Sequence, residues 1–353
     1  MARILISHPI AENTIQKLGL NKIRSSFNFN GTDIYSLTED VFYTDNAGEE
    51  IFYIPSIASK QSADETHDPT LETLRHALEI FQPNVLIVGN NTVNRAAIIA
   101  WRQAVGDTKK LQIIRRGVDT RAIDKTTAQK YNIIVDNLPG LNSPYVAQHM
   151  SKYLNLKNAQ SNSKIAIIGV GNIGKEIAIK AIDYDLEVHL FSPSLQIPRL
   201  RLSTLLNRGI PSEKVVCAPS IEQALIKASY VAIAVPWENS QGGNNAGMIE
   251  EKHILSLTPN AGIVSASVPG IFSDQALSLM NELMWQKKIY VRIDTPKRHV
   301  ETIKQHYPYL DAAHDEAFAA LECQQMLDEA MLRKARAFLQ KSAVASQLIY
   351  LEK

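Results

Sequence analysis

The most informative part of this chain is Lys164–Pro193, which reads KIAIIGVGNIGKEIAIKAIDYDLEVHLFSP. It begins with a short apolar run rich in β-branched residues, Ile165–Ile168, which is typical of a strand buried on both faces of a parallel sheet. Helical spacing of apolar residues follows over Lys175–Ile182, and a second apolar run, Glu187–Phe191, ends the unit. The stretch therefore predicts a strand–helix–strand unit of about 30 residues.

The turn between the first strand and the helix carries a glycine pattern. Gly169, Gly171 and Gly174 form G-x-G-x-x-G, with Asn172 and Ile173 between the last two glycines. Such glycines permit a tight turn and a close approach of the backbone, so that a pyrophosphate can rest on the amides at the helix N-terminus. In this frame the pattern predicts a dinucleotide-binding site at these five residues.

One part of the usual dinucleotide fingerprint is missing. A carboxylate about 20 residues downstream normally holds the ribose 2′-hydroxyl of NAD, but Ser192 stands at that position and Arg199 and Arg201 follow it. A site that lacks this carboxylate and has guanidinium groups nearby fits the 2′-phosphate of NADP better than the 2′-hydroxyl of NAD. The arginines could instead cover the helix that follows, so both cofactors remain candidates.

Composition limits the classes of protein to consider. A length of 353 residues suits two domains, and 45% hydrophobic residues with 21% charged residues are ordinary for a globular protein. A net charge of +1 gives no reason to invoke nucleic acid or an acidic membrane surface. Two cysteines cannot form a disulfide framework, and the N-terminus predicts a strand, not a signal peptide. We therefore expect a cytoplasmic protein without a membrane span.

Strand and helix patterns alternate along most of the chain, which predicts an α/β fold with parallel sheets. Residues 25–70 lack this alternation, and their scattered aromatic residues suggest a packed, irregular insertion. The loop Gly89–Thr92 follows a predicted strand, Val85–Val88, at the end where ligands bind in open α/β sheets. It is equally consistent with an ordinary Gly-Asn turn.

The order of these motifs resembles the D-isomer-specific 2-hydroxyacid dehydrogenases, the family of phosphoglycerate, D-lactate and formate dehydrogenases. Beyond the fingerprint, the resemblance is clearest in IIRRGVDTRAID (113–124), NLPGLNSPYVAQH (137–149) and LTPNAGIVSASVPGIFSDQAL (257–277). It implies two doubly wound Rossmann-like domains. The cofactor domain, 119–304, would be inserted into a discontinuous substrate domain made of 1–118 and 305–353.

The resemblance also implies where substrate and cofactor bind. Backbone amides at Gly89, Asn90, Asn91 and Thr92 would hold a substrate carboxylate, although the usual Arg-Ser of this loop is absent.

Four further residues are candidates for the cofactor site. Asp294 and the backbone near Ala266 match family positions that hold the nicotinamide carboxamide. We add Val235 and Pro236, where another predicted strand ends.

Catalysis in that family uses an arginine, a histidine and a glutamate. The arginine stabilises charge that develops on the substrate oxygen, and the histidine exchanges a proton near neutral pH. Here the arginine position is Val268, which has no charge, and the glutamate position is His299, with Glu301 close enough to substitute. His314, twelve residues before Met326, matches the catalytic histidine by spacing. Outside the family frame, it would be a surface or cap residue.

Another cation could replace the missing arginine. Arg116 and Arg121 flank the expected crossover between the domains, and Arg292 lies on a late predicted strand. The competing interpretation is that these residues form exposed salt bridges.

Together these features predict an NAD(P)-dependent oxidoreductase that reduces an unusual 2-oxo acid or a related carbonyl compound, a small-molecule substrate. One alternative is a non-catalytic sensor of NAD(P)H, and another is imine reduction or a redox-neutral step on the same scaffold. The helix after Asn142 makes a two-fold dimer in the family, so the resemblance also implies a homodimer.

Overall fold

The computed structural model describes residues 2–23, 28–29, 32–33, 40–46, 48–58, 69–89, 91–117, 120–237, 243–314 and 320–351. The chain divides into two compact units. Unit 1 comprises Met1–Leu141 and Leu321–Lys353, and unit 2 comprises Asn142–Ala320. In the described residues each unit is built on one seven-stranded sheet, which confirms the predicted α/β fold with two Rossmann-like domains.

The first part of unit 1 contains nine strands and four α-helices among its described residues. They are β1 (Ala2–Ile6), α1 (Glu12–Leu18), β2 (Asn21–Lys22), β3 (Asn28–Phe29), β4 (Thr32–Asp33), β5 (Phe42–Asn46), β6 (Glu49–Tyr53), α2 (Pro69–Phe81), β7 (Val85–Val88), α3 (Arg95–Val105), β8 (Leu111–Arg115), α4 (Lys125–Lys130) and β9 (Ile133–Asn137). The sheet order is β2-β5-β6-β1-β7-β8-β9, and the strands from β6 to β9 in that order are parallel.

The segment 25–70 is more regular than its sequence suggests. β5 and β6 lie within it, and β6 pairs in parallel with β1, with Ile4 opposite Ile51. Phe52 is fully buried, and its ring stacks on that of Phe81 with centroids 4.1 Å apart. The expectation of an irregular insertion is therefore wrong for β5 and β6. Acidic residues interrupt the apolar pattern of both strands, and Glu50 of β6 is nevertheless buried through its ion pair with Arg3 over 2.7 Å. Residues 24–27, 30–31, 34–39, 47 and 59–68 lie outside the described part.

Unit 2 begins with a helix and continues as a doubly wound sheet. Its elements are α5 (Ser143–Tyr153), β10 (Lys164–Ile168), α6 (Asn172–Asp183), β11 (Glu187–Phe191), α7 (Pro198–Asn207), β12 (Val215–Cys217), α8 (Ile221–Leu225), β13 (Tyr230–Ile233), α9 (Glu251–Leu255), β14 (Ala261–Ser265), α10 (Asp274–Trp285), β15 (Ile289–Thr295), α11 (Lys297–His306) and β16 (Asp311–His314). The order is β12-β11-β10-β13-β14-β15-β16, and neighbouring strands are parallel throughout.

The last helix, α12 (Leu321–Leu351), belongs to unit 1. Its buried stripe packs with residues of β1, β7 and α1 in one apolar cluster that includes Leu18, Met331 and Leu332. Among the described helices, none has both the length and the apolar character required to cross a membrane.

The two boundaries between the units lie further along the chain than the expected domain boundaries, 118/119 and 304/305. At the first boundary β9 pairs with β8, so the sheet of unit 1 continues beyond residue 118. β16 pairs with β15 in the sheet of unit 2. The physical reason is the same at both places: one more strand completes its sheet before the chain moves to the other unit.

Candidate functional site

Each sheet has a position where the order of its strands reverses. In unit 1 the reversal lies between β1 and β7, and in unit 2 it lies between β10 and β13. In open α/β sheets, ligands bind outside the carboxyl ends of the strands at such switch points. The two switch points are described separately below.

Two glycines build the turn that follows β10. Gly169 has a φ of 95°, and a Cβ on it would lie 2.5 Å from the carbonyl oxygen of Ala234, after β13. A Cβ on Gly174 would overlap the carbonyl oxygen of Gly169. Only glycine therefore allows the turn, the first coil of α6 and the end of β13 to pack this closely.

The third glycine leaves open space beside the helix. Gly171 is the N-cap of α6, and a Cβ on it would meet nothing within 4 Å. The first amides of a helix have no partner within the helix, and they carry the positive end of its dipole. The amides of the first turn, beginning with Asn172 and Ile173, therefore form an open cradle that fits the pyrophosphate of a dinucleotide.

A serine that the sequence analysis missed fixes the neighbouring loop. The Val235 amide donates to Ser267 Oγ over 3.1 Å, and the Ser267 hydroxyl donates to the Val235 carbonyl over 2.7 Å. Ser267 is buried, and its own amide donates to Ser265 Oγ. The Ala266 amide donates to Ile233, so its backbone stays beside the end of β13. No spacing rule marks Ser267; its burial becomes visible only when β13 and β14 pair.

The candidate residues for the 2′-position lie after β11. Ser192 is half-buried, and its hydroxyl lies 3.2 Å from that of Ser194. The Arg201 Nε donates to the carbonyl oxygen of Leu195 over 2.9 Å, which holds its guanidinium against the turn after Ser192. Arg199 is exposed in the first turn of α7. Discrimination between NAD and NADP by these residues stays a prediction.

The structure adds a cation near the cradle. Arg208, the C-cap of α7, approaches the first turn of α6, with its Nη1 3.5 Å from Asn172 Oδ1. A guanidinium beside the helix N-terminus suits a phosphate ligand. Arg208 lies far from the glycine pattern in sequence, so only the packing of α7 could reveal it.

The candidate catalytic histidine of unit 2 lies at the same end of the sheet. Asp294 pairs with Ala313, and Thr295 pairs with His314, in the register of β15 and β16. Asp294 is buried and His314 is exposed. Residues 315–319, with the acidic pair that follows His314, lie outside the described part.

The position that corresponds to the family's catalytic arginine is Val268. Val268 precedes a 3₁₀ turn, Pro269–Ile271, and packs against the apolar core of unit 2. Arg292, one possible replacement, donates to Asp311 Oδ2 over 2.7 Å and lies 5.2 Å from the centroid of the Tyr153 ring. These contacts within unit 2 give Arg292 a structural role. His299 and Glu301 both lie on α11.

At the switch point of unit 1, two loops are joined through polar side chains. The Asn91 side chain donates to Ser7 Oγ over 2.9 Å and accepts from the Gly89 amide over 3.1 Å. Asn91 is buried and Thr92 is half-buried, whereas Asn90 is outside the described residues. The Asn91 amide group thus braces the loop whose backbone is the candidate acid-binding group.

A buried charged cluster lies next to this loop. Asp328 Oδ2 accepts from the Ala11 amide over 2.8 Å and from Thr14 Oγ1 over 3.2 Å, at the start of α1. Its Oδ1 lies 3.7 Å from His8 Nε2 and 3.9 Å from Arg116 Nη2. The exposed fractions of the side chains of His8, Asp328 and Arg116 are 2%, 0% and 10%. Burial lowers the pKa of His8 and of Arg116, and the carboxylate of Asp328 opposes both shifts.

Of the residues in this cluster, Arg116 is a candidate from the sequence, whereas His8 and Asp328 are not. The sequence contains a signal that could have revealed Asp328. It is the charged member of the buried stripe of α12 that includes Leu327, Met331 and Ala335. Arg121 is exposed in the turn before α4.

No protein-family model matches the sequence. Significant matches exist to individual curated proteins. Over 166 residues, or 46% of this chain, it is 25% identical to the erythronate-4-phosphate dehydrogenase of Marinomonas sp. (strain MWYL1), of which the match covers 39%. Over 230 residues, or 57% of this chain, it is 23% identical to the D-3-phosphoglycerate dehydrogenase of Bacillus subtilis (strain 168), of which 41% is covered. The matches thus span well under two thirds of these relatives' lengths.

These relatives share the family that the motifs predict. The chain is similar to these dehydrogenases over part of their length. Solved structures of low sequence identity show the same fold. The NAD+-bound 3-phosphoglycerate dehydrogenase of Entamoeba histolytica has a TM-score of 0.59 at 16% identity, with 96% of this chain and 95% of that chain covered. An acyclic imino acid reductase in complex with NADPH and D-Arg has a TM-score of 0.59 at 15% identity, with 97% and 98% covered.

Proposed function

We propose that this chain is an NAD(P)-dependent oxidoreductase that acts on a 2-oxo acid, a 2-hydroxy acid or a related carbonyl compound. The observation that carries this proposal is the open cradle at Gly171, where a helix N-terminus meets the switch point of unit 2. The names of the relatives, which are dehydrogenases of phosphorylated hydroxy acids, support the same reaction type.

The residues of unit 2 fit a nicotinamide dinucleotide. When bound, this cofactor would supply or accept a hydride. The amides of the first turn of α6 would hold its pyrophosphate, and Arg208 would add a positive charge beside them. Because Ser192 places no carboxylate at the ribose, we propose that NADP binds more tightly than NAD.

The residues of unit 1 fit the acid group of a substrate. The backbone of Gly89, Asn91 and Thr92 follows β7 at the switch point, and Arg116 follows the neighbouring strand β8. A buried guanidinium can orient a carboxylate and stabilise charge on its neighbour, which is the work that Val268 cannot perform. We assign proton exchange with the substrate to His314.

A second candidate function is that of a non-catalytic sensor of NAD(P)H. The observation that favours it is Val268, an apolar residue packed into the core at the place of the family's arginine. A sensor binds the cofactor without turnover. Reduction of imino acids is a variant of the first proposal, because the fold also occurs in an acyclic imino acid reductase.

The decisive experiment mixes the purified protein with NADH or NADPH and a panel of 2-oxo acids, each with and without ammonia. Turnover that is lost in His314→Ala, together with a KM that rises at least tenfold in Arg116→Lys or Arg121→Ala, supports the enzyme and identifies the anchoring cation. Arg75→Ala is the matched control, because Arg75 pairs on the surface of α2 with Glu72. Cofactor binding without turnover of any compound would favour the sensor.

We also propose that the chain forms a homodimer, as the family resemblance implies. Light scattering should give twice the mass of 39.3 kDa, and a monomer at all concentrations would contradict it.

A further inference from the structure

His8 lies directly against the candidate acid-binding loop. A Cβ on Gly89 would be only 2.7 Å from the Cβ of His8, so glycine at position 89 allows the two segments to touch. His8 is almost completely buried, and neither of its ring nitrogens has a hydrogen-bond partner among the described residues. At 3.7 Å, Asp328 Oδ1 lies beyond the usual range for such a bond but close enough for a strong charge interaction.

The charges around this imidazole come from two elements, α12 and the end of β8. Asp328 on α12 carries one negative charge, while Arg115 and Arg116 at the end of β8 carry two positive charges. Tyr53 on β6 and Cys323 on α12 also belong to the surroundings, and burial raises the pKa of both, so both are uncharged near neutral pH. Since burial lowers the pKa of His8, the imidazole is neutral near pH 7 in the free protein.

The position of Asp328 is fixed independently of His8. Its second oxygen accepts hydrogen bonds from Ala11 and Thr14 at the start of α1, so the carboxylate cannot turn away from the cluster without breaking them. A proton on His8 Nε2 would therefore face a carboxylate that is already in place. Burial and the two neighbouring guanidinium groups oppose the imidazolium form, so a further negative charge nearby would stabilise it.

We propose that His8 takes up a proton from solvent when a carboxylate binds at the switch point between β1 and β7, so that the acid site gains a positive charge only when it is occupied. This inference rests on the proposed function, because the carboxylate is that of the substrate. No bond other than the N–H bond forms. His8 thus acts through its charge on the affinity for the acid, and Asp328 is its positioning residue.

The proposal has a thermodynamic consequence. If binding takes up one proton, the affinity for the acid falls as pH rises above the pKa of His8 in the free protein, by up to about tenfold for each pH unit. A histidine that only fills space would give no such dependence. The effect is reciprocal, so a bound acid would raise the pKa of His8.

The experiment measures oxalate binding to the full-length protein by titration calorimetry, in buffers of different ionisation enthalpy between about pH 6 and 8. Oxalate is suitable because it does not itself take up a proton in that range. We expect the wild type to take up protons with oxalate near pH 7, and His8→Gln to take up none. Asp328→Asn should reduce the uptake while oxalate still binds. His76→Gln is the matched control, because His76 is exposed on α2.

The outcomes separate this inference from the proposed function. Oxalate binding without proton uptake by the wild type, or equal uptake by His8→Gln, would overturn the inference and leave the acid site intact. Absence of oxalate binding to the wild type, with and without NADPH, would overturn both. If His8→Gln does not fold, Asp328→Asn takes its place, and an uptake in that variant equal to that of the wild type would overturn the inference.

Discussion

The two switch points are built from different materials. In unit 2 the site consists of backbone: three glycines within six residues shape a turn and leave helix amides accessible. In unit 1 the site consists of side chains, and the bond from Ala11 to Asp328 spans 317 positions of the sequence. A site made of backbone leaves a short, regular sequence pattern, whereas a site made of distant side chains does not. Substitutions in the two sites should therefore differ in their effects on stability and on binding.

The largest effect is expected where charges are buried. Asp328→Ala would leave Arg116 without its nearby carboxylate and would remove the acceptor for Ala11 and Thr14. Breaking a buried pair in this way costs about 3–5 kcal/mol of the free energy of unfolding. Chemical denaturation measures it. Glu329→Ala, one position away in an exposed pair with Lys17, should leave the stability unchanged. Equal effects of the two variants would refute the importance of the unit 1 cluster.

A smaller loss of stability is expected from a glycine of unit 2. A methyl group at Gly174 would collide with the carbonyl oxygen of Gly169, so Gly174→Ala should lower the free energy of unfolding by about 1–3 kcal/mol. Gly171→Ala is the control, because its methyl group meets nothing in the protein, and its cost should be below about 1 kcal/mol. If Gly174→Ala is as stable as the wild type, the turn can rearrange to accept the methyl group, which would contradict this prediction.

The charged cluster should also make stability depend on pH. His8 has its pKa lowered by burial from the model-peptide value of 6.5, so the unfolded chain binds a proton below that pH while the folded chain does not. The contribution is therefore complete above pH 6.5 and is lost as pH falls, with a slope of up to about 1.4 kcal/mol per pH unit. His8→Gln should remove that slope. Because burial also lowers the pKa of His253, the difference between wild type and variant is the quantity to measure. Parallel curves for the two proteins would exclude His8 as the source.

The smallest effect is expected for the choice of cofactor. Ser192→Asp restores a carboxylate at the end of β11, so the ratio of the Kd values for NADPH and NADH should rise about tenfold, which equals about 1.4 kcal/mol. Ser203→Asp adds the same charge on an exposed part of α7 and should leave the ratio unchanged. An unchanged ratio in Ser192→Asp would place the 2′-position elsewhere.

The contrast between the two sites also explains what could be predicted from the sequence. The fold followed from the alternation of apolar runs and from the glycine turn, because both are local properties of the backbone. β6 was missed because it begins with two glutamates, one of which is buried by its ion pair with Arg3. The unit boundaries were displaced because strand pairing of β9 and β16 is not a local property. His8 and Ser267 were missed for a related reason, since their importance arises only from the neighbours that folding brings to them.

The claim that a nicotinamide dinucleotide binds at the cradle of α6 is tested most directly by comparing wild type with Gly171→Ala. The measurement is the Kd for NADPH and NADH, followed by nucleotide fluorescence, together with the free energy of unfolding of both proteins. We expect the wild type to bind at least one of the two nucleotides. Gly171→Ala should lose at least about tenfold in affinity with almost no loss of stability, because the added methyl group fills the space of the pyrophosphate. A wild type that binds neither nucleotide, or a variant that binds as tightly as the wild type, would contradict it.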